Sequence, residues 1–208
     1  DTAGSSCGAL LPTGNAVDLV NGVPVTLIDN GMPCVVMKAE DVGITGYEDR
    51  DSLDANTELK AKLEAIRLAV GERMNLGNVA DKSVPKMMLV APPQNGGAVT
   101  VRSFIPHRAH ASIGVLGAVS VATACLIPGS PAAEVANIPT GSLKTLSVEH
   151  PTGEMSCVLE VDDKGDVRTA ALLRTGRPAH HTAPADGRLG SGAGATAKPL
   201  AHGRAGRP

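Results

Sequence analysis

The sequence predicts an α+β fold in which a mostly antiparallel sheet wraps around one central apolar helix. Short apolar runs separated by turn residues recur along the chain and have the length and composition of strands. The segment Ser112–Ile127 is apolar on all sides, as buried helices are. Asn30-Gly31 lies between two apolar runs and is a hairpin signal. Because a helix without a polar face must be enclosed, the sheet is expected to cover it.

Hairpin connections dominate the predicted strands, so an antiparallel meander with the apolar helix in its middle is expected. Asn30-Gly31-Met32 separates the first two strands. The tetrapeptides at 150–153 and 162–165 are predicted turns between the last three. The predicted strands are Val23–Asp29, Pro33–Lys38, Lys86–Ala91, Ala98–Ile105, Leu143–Glu149, Glu154–Val161 and Asp166–Leu173.

A second helix, this one amphipathic, is predicted over Thr57–Leu76. Its apolar residues recur three and four positions apart, which places them on one face. Such a helix covers a face of a sheet, and no chemistry is assigned to it. The apolar positions are Leu59, Leu63, Ile66, Val70 and Met74.

The composition excludes several classes of function. The 208 residues carry a net charge of −2, so the chain as a whole is not an obvious nucleic-acid binder. It has one Tyr, one Phe and no Trp, which removes base stacking on aromatic side chains. The apolar segment 112–127 is shorter than the roughly 20 residues of a membrane span, so no membrane partner is expected.

The four cysteines do not form a metal-binding pattern. They are far apart and lack Cys-x-x-Cys or Cys/His ligand spacing, so no metal is predicted. Cys34 and Cys125 lie in apolar runs and are expected to pack as small hydrophobic residues. This use of cysteine suggests a reducing cytoplasm as the expected location, and no secretory signal is recognisable.

Three segments are expected along the chain. Residues 1–22 begin without an initiator Met and are turn-rich, which suggests a fragment that starts in the connection from a missing first domain. Residues 23–175 form the predicted domain. Residues 176–208 are rich in Gly, Ala, Pro and Arg and have few large apolar residues, which predicts disorder. The arginines of that tail are spread out, which does not favour a nucleic-acid-binding role.

Polar residues stand directly before the apolar helix and make it the main candidate site. His107, Arg108, His110 and Ser112 precede a helix start, where free backbone N–H groups and the helix dipole favour anions. Two interpretations remain open: an anion site, or a core helix with an ordinary polar N-cap.

Several long motifs occur in the order found in PrpF-type isomerases, and the chain resembles that family. The resemblance extends over about Asp1–Thr175 and is strongest toward the 4-oxalomesaconate tautomerase branch (GalD-like). The motifs are GALLPTGNAVD at 8–18, IDNGMP at 28–33, GITGYE at 43–48, EAIRLAVGERMNLG at 64–77, VPKMMLVAPP at 84–93, FIPHRAHASIGVLGAVSVATACLIPG at 104–129 and VEHPTGE at 148–154.

The resemblance implies a diaminopimelate-epimerase-like fold of two similar domains, of which this chain matches the second. The active site then lies between the domains, where the N-termini of two central helices face the substrate. It also implies proton transfer without cofactor on an unsaturated di- or tricarboxylic acid, by a keto–enol or allylic double-bond shift in the breakdown of aromatic compounds. Such chemistry needs an acid, a base and donors for the developing enolate.

The resemblance assigns no catalytic residue here, because the family's acid and base, a Lys and a Cys, belong to the first half. Members of the family also continue past Leu173-Arg174-Thr175 with another strand, which this sequence lacks. The predicted substrate-binding residues are Thr13, Gly14, Asn15, Met32, His107, Arg108, His110, Ser112, Ile113 and Gly114. For Thr13, Gly14, Asn15 and Met32 an ordinary turn and strand end is the competing interpretation, and for His110 it is a buried structural histidine.

Three functions therefore compete. The first is an isomerase half that needs a first-half domain in trans or self-association. The second is an inactive truncated homologue. The third is a hydrolase using His110, Ser112 and a carboxylate, although two residues so close in sequence do not indicate a catalytic triad.

Overall fold

A computed structural model describes residues 2–173 and shows an eight-stranded sheet with helices on both faces. The strands lie side by side in sequence order: β1 (Asp18–Val20), β2 (Val23–Asp29), β3 (Pro33–Lys38), β4 (Lys86–Ala91), β5 (Val99–Phe104), β6 (Leu143–His150), β7 (Gly153–Val161) and β8 (Val167–Leu172). The helices are α1 (Arg50–Ala55), α2 (Thr57–Val70), α3 (Val115–Cys125) and α4 (Pro131–Val135), with a 3-10 turn at Ala39–Val42.

The seven predicted strands are all present, and β1 is an addition that the sequence did not indicate. β1 pairs antiparallel with β2, so the segment 1–22, predicted as a connection, contributes a strand to the sheet near its end. The predicted hairpin around Asn30-Gly31 is confirmed, with Asp29 opposite Pro33. The tail predicted to be disordered, 176–208, lies outside the described residues.

The prediction of an antiparallel meander is wrong at two positions. β3 pairs parallel with β4, and β5 pairs parallel with β6. In each parallel pair a long helical connection brings the chain back to the edge of the sheet at which the first strand of that pair began. The sequence pattern favoured hairpins because the last three strands are joined by short turns, but the helical connections override that pattern.

The two helical connections lie on opposite faces of the sheet. β4 and β5 are antiparallel, so the two parallel pairs point in opposite directions. Connections between parallel strands are almost always right-handed, and for pairs of opposite direction this rule puts the helices on opposite faces. Accordingly α2 packs on one face and α3 on the other.

Side-chain alternation along the strands builds one apolar core on each face. On β5, Val99 and Val101 pack on the α3 side and Phe104 on the α2 side, because successive side chains of a strand point to opposite faces. The predicted apolar face of the amphipathic helix is confirmed, since Leu59, Leu63, Ile66, Val70 and Met74 are all buried. That helix ends at Val70 rather than Leu76, and the chain continues in turns to Asn75, whose φ is +57°.

The apolar helix α3 is enclosed as predicted. Every residue from Gly117 to Cys125 is buried, and the helix contacts β2, β3, β6, β7 and β8. It begins at Val115, three residues later than expected, because the chain from Phe104 to Gly114 folds back as a separate loop. No helix within residues 2–173 has both the length and the apolar character needed to cross a bilayer.

The N-terminal segment is tied to the end of β2 through Asp29. The Asp29 side chain is fully buried, and its Oδ2 accepts from the backbone N–H groups of Ser6 at 2.7 Å and Cys7 at 2.8 Å. The Asp29 backbone accepts from Gly4 and donates to Leu10. Four hydrogen bonds thus fix residues 4–10 to the end of β2.

Arg67 of α2 organises the loop that leads into β4. Its side chain is fully buried, and it forms a bidentate pair with Glu64 at 2.7 and 2.8 Å. The same guanidinium donates to the carbonyls of Val79, Lys82 and Val84 at 2.8–3.0 Å. The Arg67 cation therefore satisfies three backbone carbonyl groups of this loop that are not paired within a strand or a helix.

We expect Arg67→Met to lower the free energy of unfolding by about 3 kcal/mol, because the buried carbonyls and Glu64 lose their donor. Urea denaturation followed by circular dichroism measures this change. Arg73→Met is the matched control, since Arg73 is exposed and makes one long bond, 3.4 Å, to Leu19 O. Equal stability of the two variants would contradict the role given to Arg67.

Candidate functional site

The N-terminus of α3 is open at its first turn. Gly114 is the N-cap in an extended conformation, and no side chain among residues 2–173 caps the helix. The first intrahelical bond runs from Ala118 N–H to Gly114 O, so the N–H groups of residues 115–117 lack helical partners. The side chains of Val115 and Leu116 are 46% and 38% exposed. The buried helix therefore presents free backbone donors and its positive dipole end to the surface.

The polar residues before the helix form a tight loop that folds back on β5. Ile105 N–H donates to Arg108 O at 2.9 Å, and His110 N–H donates to Ser103 O at 2.9 Å. His107, Arg108 and His110 are exposed, whereas Ala109 between them is buried at 2% exposure. His110 is therefore not the buried structural histidine that one interpretation expected. The loop turns two imidazole rings and one guanidinium outward around one buried residue.

The end of the loop is fixed by two hydroxyl groups, one from strand β5 and one from the turn between β6 and β7. Ser103 Oγ donates to Ser112 O at 3.2 Å, and Thr152 Oγ donates to Ala111 O at 2.9 Å. Ile113 then anchors the chain in the core at 3% exposure. Ser112, a predicted substrate-binding residue, is half-buried, and it does not cap α3 because Gly114 occupies the N-cap position.

The loop is also connected to α2. His107 Nδ1 lies 3.5 Å from Glu64 Oε2, the carboxylate that Arg67 holds. The sequence did not indicate Glu64 as a site residue. In the sequence, Glu64 and Arg67 are an acid–base pair three positions apart on a helix, and such a pair usually stabilises the helix rather than indicating a site.

The hairpin loop with Met32 meets the same helix. Ser120 Oγ of α3 donates to Met32 O at 2.9 Å and accepts from Asn30 N–H at 3.2 Å. Asn30 Nδ2 also donates to Thr123 Oγ1 at 2.9 Å. A Cβ on Gly31 would lie 3.0 Å from the Leu116 side chain, so Gly31 has a steric reason to remain glycine. Ser120 and Thr123 are thus the polar residues of the apolar helix, and they hold the predicted Met32 loop against it.

The predicted Thr13-Gly14-Asn15 turn makes its bonds locally. Thr13 Oγ1 donates to Asp18 Oδ2 at 2.6 Å, and Asn15 Nδ2 donates to Asp18 Oδ1 at 3.0 Å. Gly14 has a φ of +76°, as a turn of this kind requires. Among the hydrogen bonds of residues 2–173, none links this turn to the loop before α3.

Neither the four cysteines nor Ser6 forms a nucleophilic site. All four cysteines are buried with free thiols, and burial raises the pKa of Cys34 and Cys125 to about 12, which confirms their role as small hydrophobic residues. Residues 4–8, GSSCG, match the Gly-x-Ser-x-Gly pattern of a nucleophile elbow, yet Ser6 lies in a turn bound to Asp29 rather than between a strand and a helix. In the described part of the chain, no three His, Cys, Asp or Glu residues come close enough to hold a metal ion.

Comparison with known proteins identifies the family. A family model described as PrpF protein matches residues 1–181. The chain belongs to the PrpF family. It is 86% identical over 177 residues to a protein from Novosphingobium sp. (strain KA1) named (4E)-oxalomesaconate Delta-isomerase, covering 85% of this chain and 50% of that relative. It is 58% identical over 177 residues to the 4-oxalomesaconate tautomerase of Pseudomonas putida KT2440, covering 85% of this chain and 49% of the relative.

A solved structure of the family has the same mixed α/β fold. The crystal structure of a methylitaconate-delta-isomerase superimposes with a TM-score of 0.73 at 27% identity, covering 84% of this chain and 52% of the other. The chain thus spans about half the length of the curated relatives and of the solved structure that it matches.

In this PrpF chain a buried carboxylate of β6, Glu149, holds a different loop, residues 94–97. Glu149 is buried, and it accepts from the N–H groups of Gln94, Asn95 and Gly97 and from the Thr100 hydroxyl at 2.7–2.9 Å. Burial by itself raises the pKa of Glu149, but these hydrogen bonds outweigh it and hold the pKa below its ordinary value. A Cβ on Gly97 would lie 2.8 Å from Glu149 Oε1, which explains the glycine.

Glu149 is followed by His150, which lies beside the loop before α3. Burial lowers the pKa of the His150 imidazole, and the nearby Arg102 guanidinium lowers it further. The ring is therefore neutral at pH 7. His150 Nδ1 lies 3.4 Å from Thr152 N, and Thr152 is the residue that bonds Ala111 O.

We expect acid to destabilise the protein partly through Glu149. Its folded-state pKa is depressed, so its contribution is present above pH 4.5, the ordinary value, and is lost as the pH falls through the folded-state pKa. Glu149→Gln should lower the free energy of unfolding at pH 7 and flatten its dependence on pH below about 4.5. Urea titrations at several pH values measure both effects, with exposed Glu160→Gln as the control. An unchanged pH dependence would show that Glu149 does not carry this linkage.

Proposed function

We propose that this chain forms the carboxylate-binding half of an isomerase that acts on an unsaturated di- or tricarboxylic acid such as 4-oxalomesaconate. Membership of the PrpF family supports the isomerase class. Relatives at 86% and 58% identity that are named for oxalomesaconate isomerisation or tautomerisation support the substrate. A relative from Eubacterium barkeri at 30% identity is a 3-methylitaconate isomerase, so the substrates of the family share carboxylate groups beside a double bond.

The observation that carries the proposal is the open N-terminus of α3 behind a fixed basic loop. Free N–H groups at residues 115–117 and the helix dipole favour a carboxylate there. Arg108 adds a planar donor that can bind a carboxylate in a bidentate manner, and His107 and His110 add ring N–H donors. Donors that are already oriented stabilise an enolate without reorganisation during the reaction.

The reaction proposed is a proton transfer between carbon and oxygen, or along an allylic system, without cofactor. One group removes a proton from carbon and another supplies a proton at the second site. We assign neither role to the described residues. Burial, with the Asp29 charge and hydrogen bond adding to it, raises the pKa of Cys7 to about 12, and burial raises that of Cys157 to about 11, so neither thiol is a ready base at neutral pH.

We propose that the acid and the base come from the half of the family's length that this chain does not span, in a diaminopimelate-epimerase-like arrangement of two domains. The exposed Val115 and Leu116 flank the candidate site, and we propose that this other half covers them. The other half would be supplied in trans as a separate polypeptide, or a second copy of this chain would cover the same residues. The competing function is an inactive truncated homologue with no catalysis of its own.

For the chain alone we expect binding of 4-oxalomesaconate without turnover. Ultraviolet absorbance follows the keto–enol or double-bond shift against the uncatalysed rate, and amide NMR shifts of residues 107–117 report binding. Arg108→Ala should weaken binding about tenfold through loss of a charge-assisted hydrogen bond. Arg73→Ala, an exposed arginine on a different part of the chain, is the control.

If the chain alone catalyses the reaction and His110→Ala abolishes that catalysis, the acid and the base lie in this chain and not in the half that it does not span. Recovery of isomerase activity on adding a polypeptide that carries the remaining half of a relative would support the two-domain proposal. Binding without such recovery would favour the inactive homologue, and absence of binding would contradict the carboxylate site.

A further inference from the structure

We infer that Arg50 and Asp54 of α1 are positioning residues for the candidate site, because they hold the backbone of Ala109 and thereby fix the loop that presents His107, Arg108 and His110. This inference deepens the proposed function and rests on it for its purpose. Neither residue was indicated by the sequence, since each is more than 50 positions away from the loop.

The contact is a two-point clamp on one residue of the loop. Ala109 N–H donates to Asp54 Oδ1 at 3.1 Å, and Arg50 Nε donates to Ala109 O at 3.3 Å. Arg50 and Asp54 are four positions apart on a helix, so their side chains project from the same face one turn apart. That spacing lets one short helix reach the N–H and the C=O of the same residue.

The clamp is itself anchored to the folded core. Asp49 caps α1 by accepting from Ser52 N–H at 2.7 Å, and Leu53 is buried at 2% exposure between the two clamp residues. Lys60 of α2 donates to the backbone O of Asp54 at 3.0 Å and reaches its carboxylate at 3.4 Å. The Asp54 carboxylate is therefore held in place from the α2 side while it binds Ala109.

Charge at the clamp favours the ionised carboxylate. The hydrogen bond from Ala109 N–H is the main cause that lowers the pKa of Asp54, and Lys60 and Arg108 act in the same direction. Hydrogen bonds to an ionised group are about twice as strong as neutral ones. Asp54 also balances the charge of Arg108, which is the residue directly before the clamped position.

Ala109, the residue that the clamp holds, lies between two candidate substrate-binding residues, so the clamp affects the orientation of both side chains. Arg108 and His110 flank Ala109, so a rotation of either of its peptide groups changes the direction of both side chains. Binding sites lose affinity when their groups leave the productive geometry by more than about 0.5 Å. On the other side, Ala109 is buried and its strand-like bridge to Phe104 fixes its distance from β5. The clamp restrains Ala109 from the α1 side.

The decisive experiment compares Asp54→Ala with Asp51→Ala in the full chain. Asp51 lies on the same helix and is exposed, and its side chain makes no hydrogen bond to the loop among the described residues. Amide hydrogen exchange at Ala109 should become about tenfold faster in Asp54→Ala, since a bond to a charged acceptor is lost. Exchange at Met87, inside β4, should stay unchanged, which shows that the effect is local.

The second readout is the affinity for 4-oxalomesaconate, followed by the NMR shifts of residues 107–117. We expect Asp54→Ala to weaken binding about threefold to tenfold, and Asp54→Asn, which keeps an acceptor oxygen, to restore most of it. Arg50→Ala should have a smaller effect of the same sign, because its bond is longer.

Unchanged exchange at Ala109 in Asp54→Ala would overturn the clamp. Faster exchange with unchanged affinity would overturn its role in positioning, since the bond would then be structural only. Absence of binding by the wild-type chain would contradict the proposed function, and the exchange rates would still decide by themselves whether the clamp holds the loop.

Discussion

The enclosure of α3 is the constraint on which the rest of the structure depends. From Gly117 onward this helix has no exposed face, so the sheet must curve around it and place five of its strands in contact with it. The amphipathic α2 then fills the opposite face of the sheet. What remains accessible of α3 is its first turn, with its unpaired N–H groups and the exposed Val115 and Leu116. Burial of the helix thus determines where an anion can approach.

The loop before α3 is held by groups from every neighbouring element. Ser103 of β5 and Thr152 of the β6–β7 turn bind its carbonyls, the α1 clamp binds Ala109, and Glu64 reaches His107 from α2. Loops are usually the mobile parts of a fold, and a loop with this many restraints is preorganised. Preorganisation matters for the proposed chemistry because donors that already point at a developing negative charge need not reorganise.

Buried ionic groups hold the other irregular segments. Arg67 pairs the carbonyls of the loop before β4, the Asp29 side chain accepts from the N–H groups of residues 6 and 7, and Glu149 accepts from those of residues 94, 95 and 97. In each case one charged side chain satisfies several backbone groups that strands and helices leave unpaired. The same device explains why sequence reasoning missed these residues: each appears in the sequence as an ordinary charged residue, and its role depends on loops distant along the chain.

The sequence by itself determined seven of the eight strands, the enclosed helix and the amphipathic face of α2, and it predicted a candidate site before α3. These follow from periodicity and turn chemistry, which act over a few neighbouring residues. Tertiary structure alone decided the parallel pairings β3/β4 and β5/β6, the late start of α3 at Val115, the pairing of β1, and the contacts of Arg50, Asp54 and Glu64 with the loop. Those features join residues far apart in sequence, and no local pattern encodes which distant backbone group a side chain will meet.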